Sequence, residues 1–598
     1  MAKKFYDKQH LKFLLFELFK VDQLCEYSYY EEHNRETLEM VIDAAEELSE
    51  KHLKPYLEEM DRNEPYLKEG EVVVHEKVKD IINAFAEGGW LSAVFPFKDE
   101  GQQLPHMLSF AASFIFSAAN YSGSVYSYLT TGAANLIRAF GSQALKEQFI
   151  PKMLEGSWQG TMALTEPEAG SSLSDITTTA YATSSDFFLL KGQKIFISAG
   201  DHNGVENIVH LMLARTEGAP KGVKGISLFV VPKKRLEEGK LISNDVKTVG
   251  VFHKMGYIGA PIVHLMLGEN EDCRAYLVGE ENKGLLYMFQ LMNEARIGVG
   301  LNATSIASAA YHASLEYAKE RKQGRSVANK QIEEEQVDIL KHADIKRMLL
   351  FQKSIVEGSL SLLMQCAYYT DILKVAEGEE YEKASLLLDL LTPIAKSYPS
   401  EKGCLTTSAA LQIHGGYGYC KDFPVEQFYR EARIHPIHEG TTGIHAIDLL
   451  GRKIWLEQSK GYQYLLEEIK VTIEQAREYE LLSNYAVSLK QKLQLLENTT
   501  KVLHKTFRHE GAEAMLADAT LYLELLGTIS IAWQWLKIGI KASEKLTTKL
   551  KDSDKAFYEG KIYTLYYYYE YELPNTIVLS QRLCDDDRLT LYVEDRHF

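Results

Sequence analysis

The chain has 598 residues, 45% of them hydrophobic and 25% charged, with a formal net charge of −17 at pH 7. That balance is the one expected of a soluble globular protein and argues against disorder over most of the length, while the length calls for roughly three or four domains. The acidic excess argues against a general nucleic-acid binder, because neutralising phosphates needs a basic face.

In chain order, the first stretch is MAKKFYDKQHLKFLLFELFKVDQL, whose apolar run FLLFELF is short and broken by Glu17. No small-residue cleavage site follows. The stretch reads as an amphipathic helix packed on the body rather than an export signal. A membrane span would need about 18 or more consecutive apolar residues, and no such run exists.

Residues 1–160 read mainly as helices. ETLEMVIDAAEELSEKHLKPYLEEMD spaces its apolar residues helically, and MLSFAASFIFSAANYSGSVYSYLTTGAANLIRAFG supplies small and apolar residues for close packing. Pro151 and Gly156 punctuate the end of this block. From 161 to 284 the runs become short and β-rich (DFFLLKGQKIFISAG, ENIVHLMLARTE, GISLFVVPK, PIVHLMLGE), which predicts a β-domain. Within it, LKGQKIFIS predicts a strand pair about a glycine turn. Helical periodicity returns over 285–458, and residues 459–598 form an extra helical domain. Its tyrosine run IYTLYYYYEYELP is read as core or interface packing. The fold class is therefore α+β, mostly α.

Cys25, Cys273, Cys366, Cys404, Cys420 and Cys584 are scattered, with no CxxC pair and no close Cys/His spacing. A zinc or other metal site is not expected. The usage fits a reducing compartment such as the cytoplasm.

Five short stretches carry candidate chemistry. MALTEPEAGSS (162–172) opens the β-domain, and its small residues would let the backbone approach a flat or phosphate-bearing ligand. In KIFISAG (194–200), Phe196 and Ser198 share a strand face, an aromatic wall beside a donor. QIHGGYGY (412–419) is an unobstructed glycine loop without the βαβ setting of a dinucleotide fingerprint. ERKQGR (320–325) ends a long helix, and Arg321 has the charge and reach of a phosphate ligand. HPIHEGTTGIH (435–445) places Glu439 at a corner of small residues.

Together and in this order, these stretches resemble the acyl-CoA dehydrogenase family of flavoproteins over roughly residues 40–455. FGSQALKEQFIPKMLEGSWQGTMALTEPEAG, GYGYCKDFPVEQFYREARI and EGTTGIHAIDLLGRK extend the match. The extra C-terminal block looks most like the long branch that includes 3-methylthiopropanoyl-CoA dehydrogenase-like enzymes. The resemblance implies an N-terminal helical domain, a middle β-domain and a C-terminal helical bundle. It also implies non-covalent FAD near a subunit interface, hence a homodimer or larger assembly. An acyl-CoA substrate and an electron-transfer flavoprotein as acceptor are implied as well.

By the same resemblance Glu439 is the base that removes the α proton of an acyl-CoA while the β hydride passes to flavin N5. A carboxylate enclosed between acyl chain and flavin is expected to have a raised pKa. Some branches carry the base immediately before the arginine of the motif at 293–298; here that position is Ala295, which cannot act. Leu164 and Thr165 match contacts at the flavin edge, Phe196 the aromatic beside the ring, and Ser198 the hydroxyl near N5. Ser171 matches a residue near pyrophosphate or substrate. Arg321 and Gln323 match groups that reach the neighbouring subunit's FAD. Gln412, Gly415 and Gly416 match the pyrophosphate loop, and Thr441 a residue near the adenosine.

Three departures stand out: GSSLSD replaces the usual G-S-D, ERKQGR lacks the usual Phe after Gln323, and Gly443 stands where Asn or Gln is usual. The first puts substrate-side contacts in question, because Ser172 replaces the acid and Asp175 is displaced. Three other readings are an acyl-CoA oxidase using oxygen, a flavin-bearing DNA-binding member of the family and a catalytically silent scaffold.

Overall fold

The computed structural model describes residues 3–326 and 334–598, with the backbone alone for 289–292. The chain has a helical N-terminal domain, a middle β-domain, a helical C-terminal domain and an extra C-terminal helical region. It folds into two compact units. Unit 1 comprises residues 1–38, 105–114 and 296–598; unit 2 comprises 39–104 and 115–295.

Unit 2 is built on a β-sheet. After a small hairpin, β1 (Tyr66–Lys68) and β2 (Glu71–Val73), come β3 (Trp158–Ala163), β4 (Thr179–Ala182), β5 (Phe188–Ser198) and β6 (Asn207–Thr216). Then follow β7 (Ser227–Pro232), the hairpin β8 (Lys234–Glu237) and β9 (Lys240–Ser243), β10 (Val246–Val251), β11 (Ile262–Leu267) and β12 (Arg274–Leu277). The main sheet runs β10-β11-β5-β12-β7-β6-β3, with β4 pairing both β5 and β6. β6 and β7 are buried almost throughout, as expected of central strands, and Val209, Leu211, Leu213, Leu228 and Val230 pack with Phe149 in the core.

LKGQKIFIS is not a strand pair: it lies in one strand, β5. Gly192 marks a change of partner instead of a turn. Residues 188–191 pair with β4 and residues 192–198 with β11. Gly192 has φ +154°, and a Cβ there would stand 2.8 Å from Thr178 Cα. Close backbone approach therefore explains this glycine.

The long helix His106–Phe140 is interrupted at Asn120, with φ −165° and ψ 99°. Asn120 Oδ1 accepts from the Gly123 amide at 2.9 Å, the geometry of an N-cap, and its Nδ2 donates to the Leu53 carbonyl at 3.1 Å.

Unit 1 is helical. Helices Ala343–Val375 and Gly378–His414 pack together, and Gly300 lies so close to the second that a Cβ would stand 1.9 Å from the Ala395 carbonyl oxygen. Val425–Ala432 and Thr442–Gly451 follow, then the C-terminal helices from Leu456–Ala476 to Asn575–Cys584. The N-terminal stretch forms a short helix, Lys8–Lys12, capped by Asp7 and running into one π-helical segment, Phe13–Leu18. Its apolar face is buried, as its pattern predicts. Phe13 meets Phe557 and Tyr558 edge-on, and the Tyr558 hydroxyl donates to Glu17. Half of the tyrosines in the run are core: Tyr567, Tyr568 and Tyr569 are buried, and Tyr568 shares a hydroxyl hydrogen bond of 2.8 Å with Tyr398, while Tyr563 and Tyr571 are exposed. Among the described residues, all six cysteines are free, no helix is long and apolar enough to cross a membrane, and no cluster suits a metal ion.

Candidate active site

Glu439 lies in the turn that joins helix Val425–Ala432 to helix Thr442–Gly451. Its φ is +54°, a left-handed conformation that costs a non-glycine residue about 1–2 kcal/mol. Such strain persists where surroundings enforce it, and it concentrates at functional sites. Thr441 is the N-cap of the following helix, its Oγ1 accepting from the Ile444 amide at 3.3 Å. Glu439 thus stands two residues outside the helix, not in its first turn. Its side chain is half-buried. Burial pushes its carboxyl up from the ordinary value, against the opposing pull of Arg296 and Lys396.

The carbonyls of this turn are received by two buried side chains. Lys396, in helix Gly378–His414, donates from Nζ to the carbonyl oxygens of His435 and Gly440, each at 2.7 Å. His445 Nε2 lies 3.0 Å from the Glu439 carbonyl oxygen, which can only accept, so this nitrogen carries the proton. His435 Nδ1 and His438 Nε2 are 3.1 Å apart, sharing one hydrogen. Burial holds all three histidines neutral, His438 down at about 3 and His445 at about 4, with His435 also well below the usual range.

Elsewhere in unit 1, Arg321, Gln323, Gly415 and Gly416 come together in one cleft of about 420 Å³, lined also by Tyr317 and Tyr417. Cβ atoms at Gly415 or Gly416 would meet nothing within 4 Å and would project into open space, so the glycines keep the cleft clear. Gly415 also has φ +60°. Arg321 donates to its own neighbours, the Lys322 carbonyl and Gln323 Oε1. Gln412 is exposed and does not line the cleft; Thr441 is committed to its cap.

Unit 2 carries the other candidates. Leu164 and Thr165 are half-buried just after β3, and the Thr165 carbonyl accepts from the Ile195 amide at 2.9 Å. Phe196 sits at a bulge in β5, where residues 195 and 196 oppose His264. It has φ +57°, remains 57% exposed, and its ring centroid is 4.6 Å from that of Phe252. An exposed ring held by a strained backbone is kept for something other than the core. Ser198 is half-buried, its carbonyl accepting from Thr161 Oγ1 at 2.9 Å; Ser171 is exposed in its loop. The displaced acid returns: Asp175 folds back over a 3₁₀ turn so that its carboxylate accepts from Ser172 Oγ.

Sequence reading missed the supports. Glu166 accepts from Lys194 Nζ at 2.8 Å and from both Thr177 and Thr178, while Lys194 also donates to the Leu164 carbonyl. The signal for Lys396 is a lysine between the fully buried Ile394, Ala395 and Ser397. For Lys194 it is a lysine in an apolar strand. Neither sequence names a partner.

Four family models match in succession. They are the acyl-CoA dehydrogenase N-terminal domain over residues 35–157, the middle domain over 161–268, the C-terminal domain over 282–454 and the acetyl-CoA dehydrogenase C-terminal-like domain over 465–593. The 3-methylmercaptopropionyl-CoA dehydrogenase of Ruegeria pomeroyi is 36% identical over 506 residues, covering 83% of this chain and 84% of that protein. Two solved structures share the fold at 19% identity. Caenorhabditis elegans ACDH-11 in complex with C11-CoA has a TM-score of 0.72, covering 94% of this chain and 89% of that one. The Bacillus anthracis acyl-CoA dehydrogenase complexed with FAD has a TM-score of 0.70, with 93% of each chain covered.

Proposed function

We propose that this chain, which belongs to the acyl-CoA dehydrogenase family of oxidoreductases, is FAD-dependent and desaturates an acyl-CoA thioester between its α and β carbons. The observation that carries the reading is Glu439: a half-buried carboxylate on a strained turn, its pKa raised by burial. A base whose pKa lies nearer the working pH transfers protons with better-matched driving force.

The residues present fit FAD. The glycine-lined cleft with Arg321 offers open backbone and a cation suited to a phosphate-bearing ligand. The exposed ring of Phe196, with Thr165 and Ser198 nearby in sequence and structure, suits a flat heterocycle. In this reading Leu164, Thr165, Phe196 and Ser198 hold the flavin ring. Arg321, Gln323, Gly415 and Gly416, which line one cleft, serve the pyrophosphate of the FAD of a second copy in a homodimer. Bound FAD supplies the acceptor for the hydride that leaves Cβ. Glu439 takes the proton from Cα, and its backbone amide donates to the thioester carbonyl, where charge develops as that proton departs. An electron-transfer flavoprotein is the proposed electron acceptor.

The test is anaerobic bleaching of the flavin absorbance across a panel of acyl-CoAs. Wild-type protein is expected to bleach with at least one. Glu439→Gln is expected to retain FAD and bind acyl-CoA yet fail to bleach. Full turnover by that variant would overturn the base assignment, and rapid peroxide formation without added acceptor would identify an oxidase instead.

A further inference from the structure

The turn around Glu439 has an uncommon construction. Three backbone carbonyls, those of His435, Glu439 and Gly440, are received by side chains, and both donors are buried. Lys396 is fully buried on a helix between Ile394, Ala395 and Ser397. An ammonium in that position is costly unless hydrogen-bonded, and it donates to two carbonyls that bracket Glu439. From the other side, His445 reaches the carbonyl of Glu439 itself. Gly440 makes room for that ring, since a Cβ there would stand 2.8 Å from His445 Nε2. The left-handed φ of Glu439 is thus held at both ends and at the residue itself.

We propose that Lys396 and His445 are positioning residues, whose hydrogen bonds to the carbonyls of His435, Glu439 and Gly440 lock the turn that presents the Glu439 carboxylate to the acyl-CoA. The assignment rests on Glu439 being the base. Positional error on the order of 1 Å at a reacting group can cost about a hundredfold in rate, so the lock acts on kcat more than on KM.

Lys396 also faces Glu439 electrostatically. The charged groups around the pair are Arg296, which with Lys396 opposes burial at Glu439, and Glu401, which faces Lys396. Asp448 and Asp389 face Arg296. The three neighbouring histidines are neutral.

The experiment compares wild type with Lys396→Met, Lys396→Arg, His445→Leu and His445→Gln as FAD-loaded proteins. Steady-state kinetics are followed across pH. Lys396→Met is expected to lower kcat by about a hundredfold with little change in KM, and to move the ascending limb of the kcat–pH profile to higher pH. Lys396→Arg keeps charge and donors and leaves that limb in place. His445→Leu lowers kcat; His445→Gln, which keeps a donor, restores most of it. Should Lys396→Met fail to load FAD, the His445 pair decides. Wild-type kcat and pH profile in His445→Leu would overturn the proposal, as would an unmoved limb and rate in a loaded Lys396→Met. Turnover by Glu439→Gln would instead sink the base reading itself, so the two failures are separable.

Discussion

Glu166 and Lys194 place opposite charges 2.8 Å apart, both fully buried in unit 2. Burial pushes the Glu166 carboxyl up, but the Lys194 ammonium and the donors of Thr178 and Thr177 outweigh it and hold the group at about 2. Removing one member of a buried pair strands the other, a loss of about 3–5 kcal/mol. Glu166→Gln is therefore expected to lower the thermal midpoint clearly, and equal midpoints by calorimetry would refute this. Phe196 should behave in the opposite way. Being mostly exposed, it contributes little to stability, so Phe196→Ala is expected to stay within about 1 kcal/mol of wild type. If flavin lies against this ring, as proposed, it should nevertheless dissociate more readily from the variant, as read from absorbance after gel filtration. The candidate residues themselves were legible because short motifs spell them out. Their supports were not: Lys194 is 28 residues from Glu166, and Lys396 is 44 from Gly440. No local pattern in KIFISAG marks Phe196 as left-handed.

At the scale of elements, the alternation and helical spacing of the sequence gave away strands and helices but not their partners. A glycine between two β-rich runs signals a turn and a close backbone approach equally well. Thr178 decides between them, because its backbone passes where a Gly192 side chain would be. Gly192→Val is accordingly expected to cost about 1–3 kcal/mol or more in denaturant unfolding; a neutral result would mean the strand is not pressed against residue 178. The break at Asn120 was likewise hidden inside an unbroken apolar pattern, since an asparagine that caps an interior break looks like any tolerated helical asparagine. The N-terminal stretch was more legible. Its amphipathic run buries Phe13 against Phe557 and Tyr558, so Phe13→Ala is expected to destabilise by about 3–5 kcal/mol. That loss should be visible as earlier thermal unfolding.

Over the whole molecule, the net charge of −17 conceals buried pairs in which lysines meet carboxylates. Unit 2 has Glu166 with Lys194. Unit 1 has Glu357, whose Oε1 lies 2.5 Å from Lys353 Nζ and 2.9 Å from Lys561 Nζ. Burial pushes Glu357 up, but those two lysines overcome it and hold its carboxyl well below the ordinary value. Composition shows the totals and cannot show which lysine meets which acid. The pairs set the acid response. In the unfolded chain each carboxyl titrates near its ordinary value of 4.5, whereas in the folded chain Glu166 titrates near 2. The unfolded state therefore binds more protons between those values, and stability falls as pH falls. The contribution is complete above about 4.5, declines below it, and is gone below the folded value. Wild-type protein is expected to show a thermal midpoint that drops steeply between about pH 5 and pH 3. Glu166→Gln, already less stable at neutral pH, should show a shallower drop. Parallel slopes in the two proteins would show that this pair does not govern the acid response.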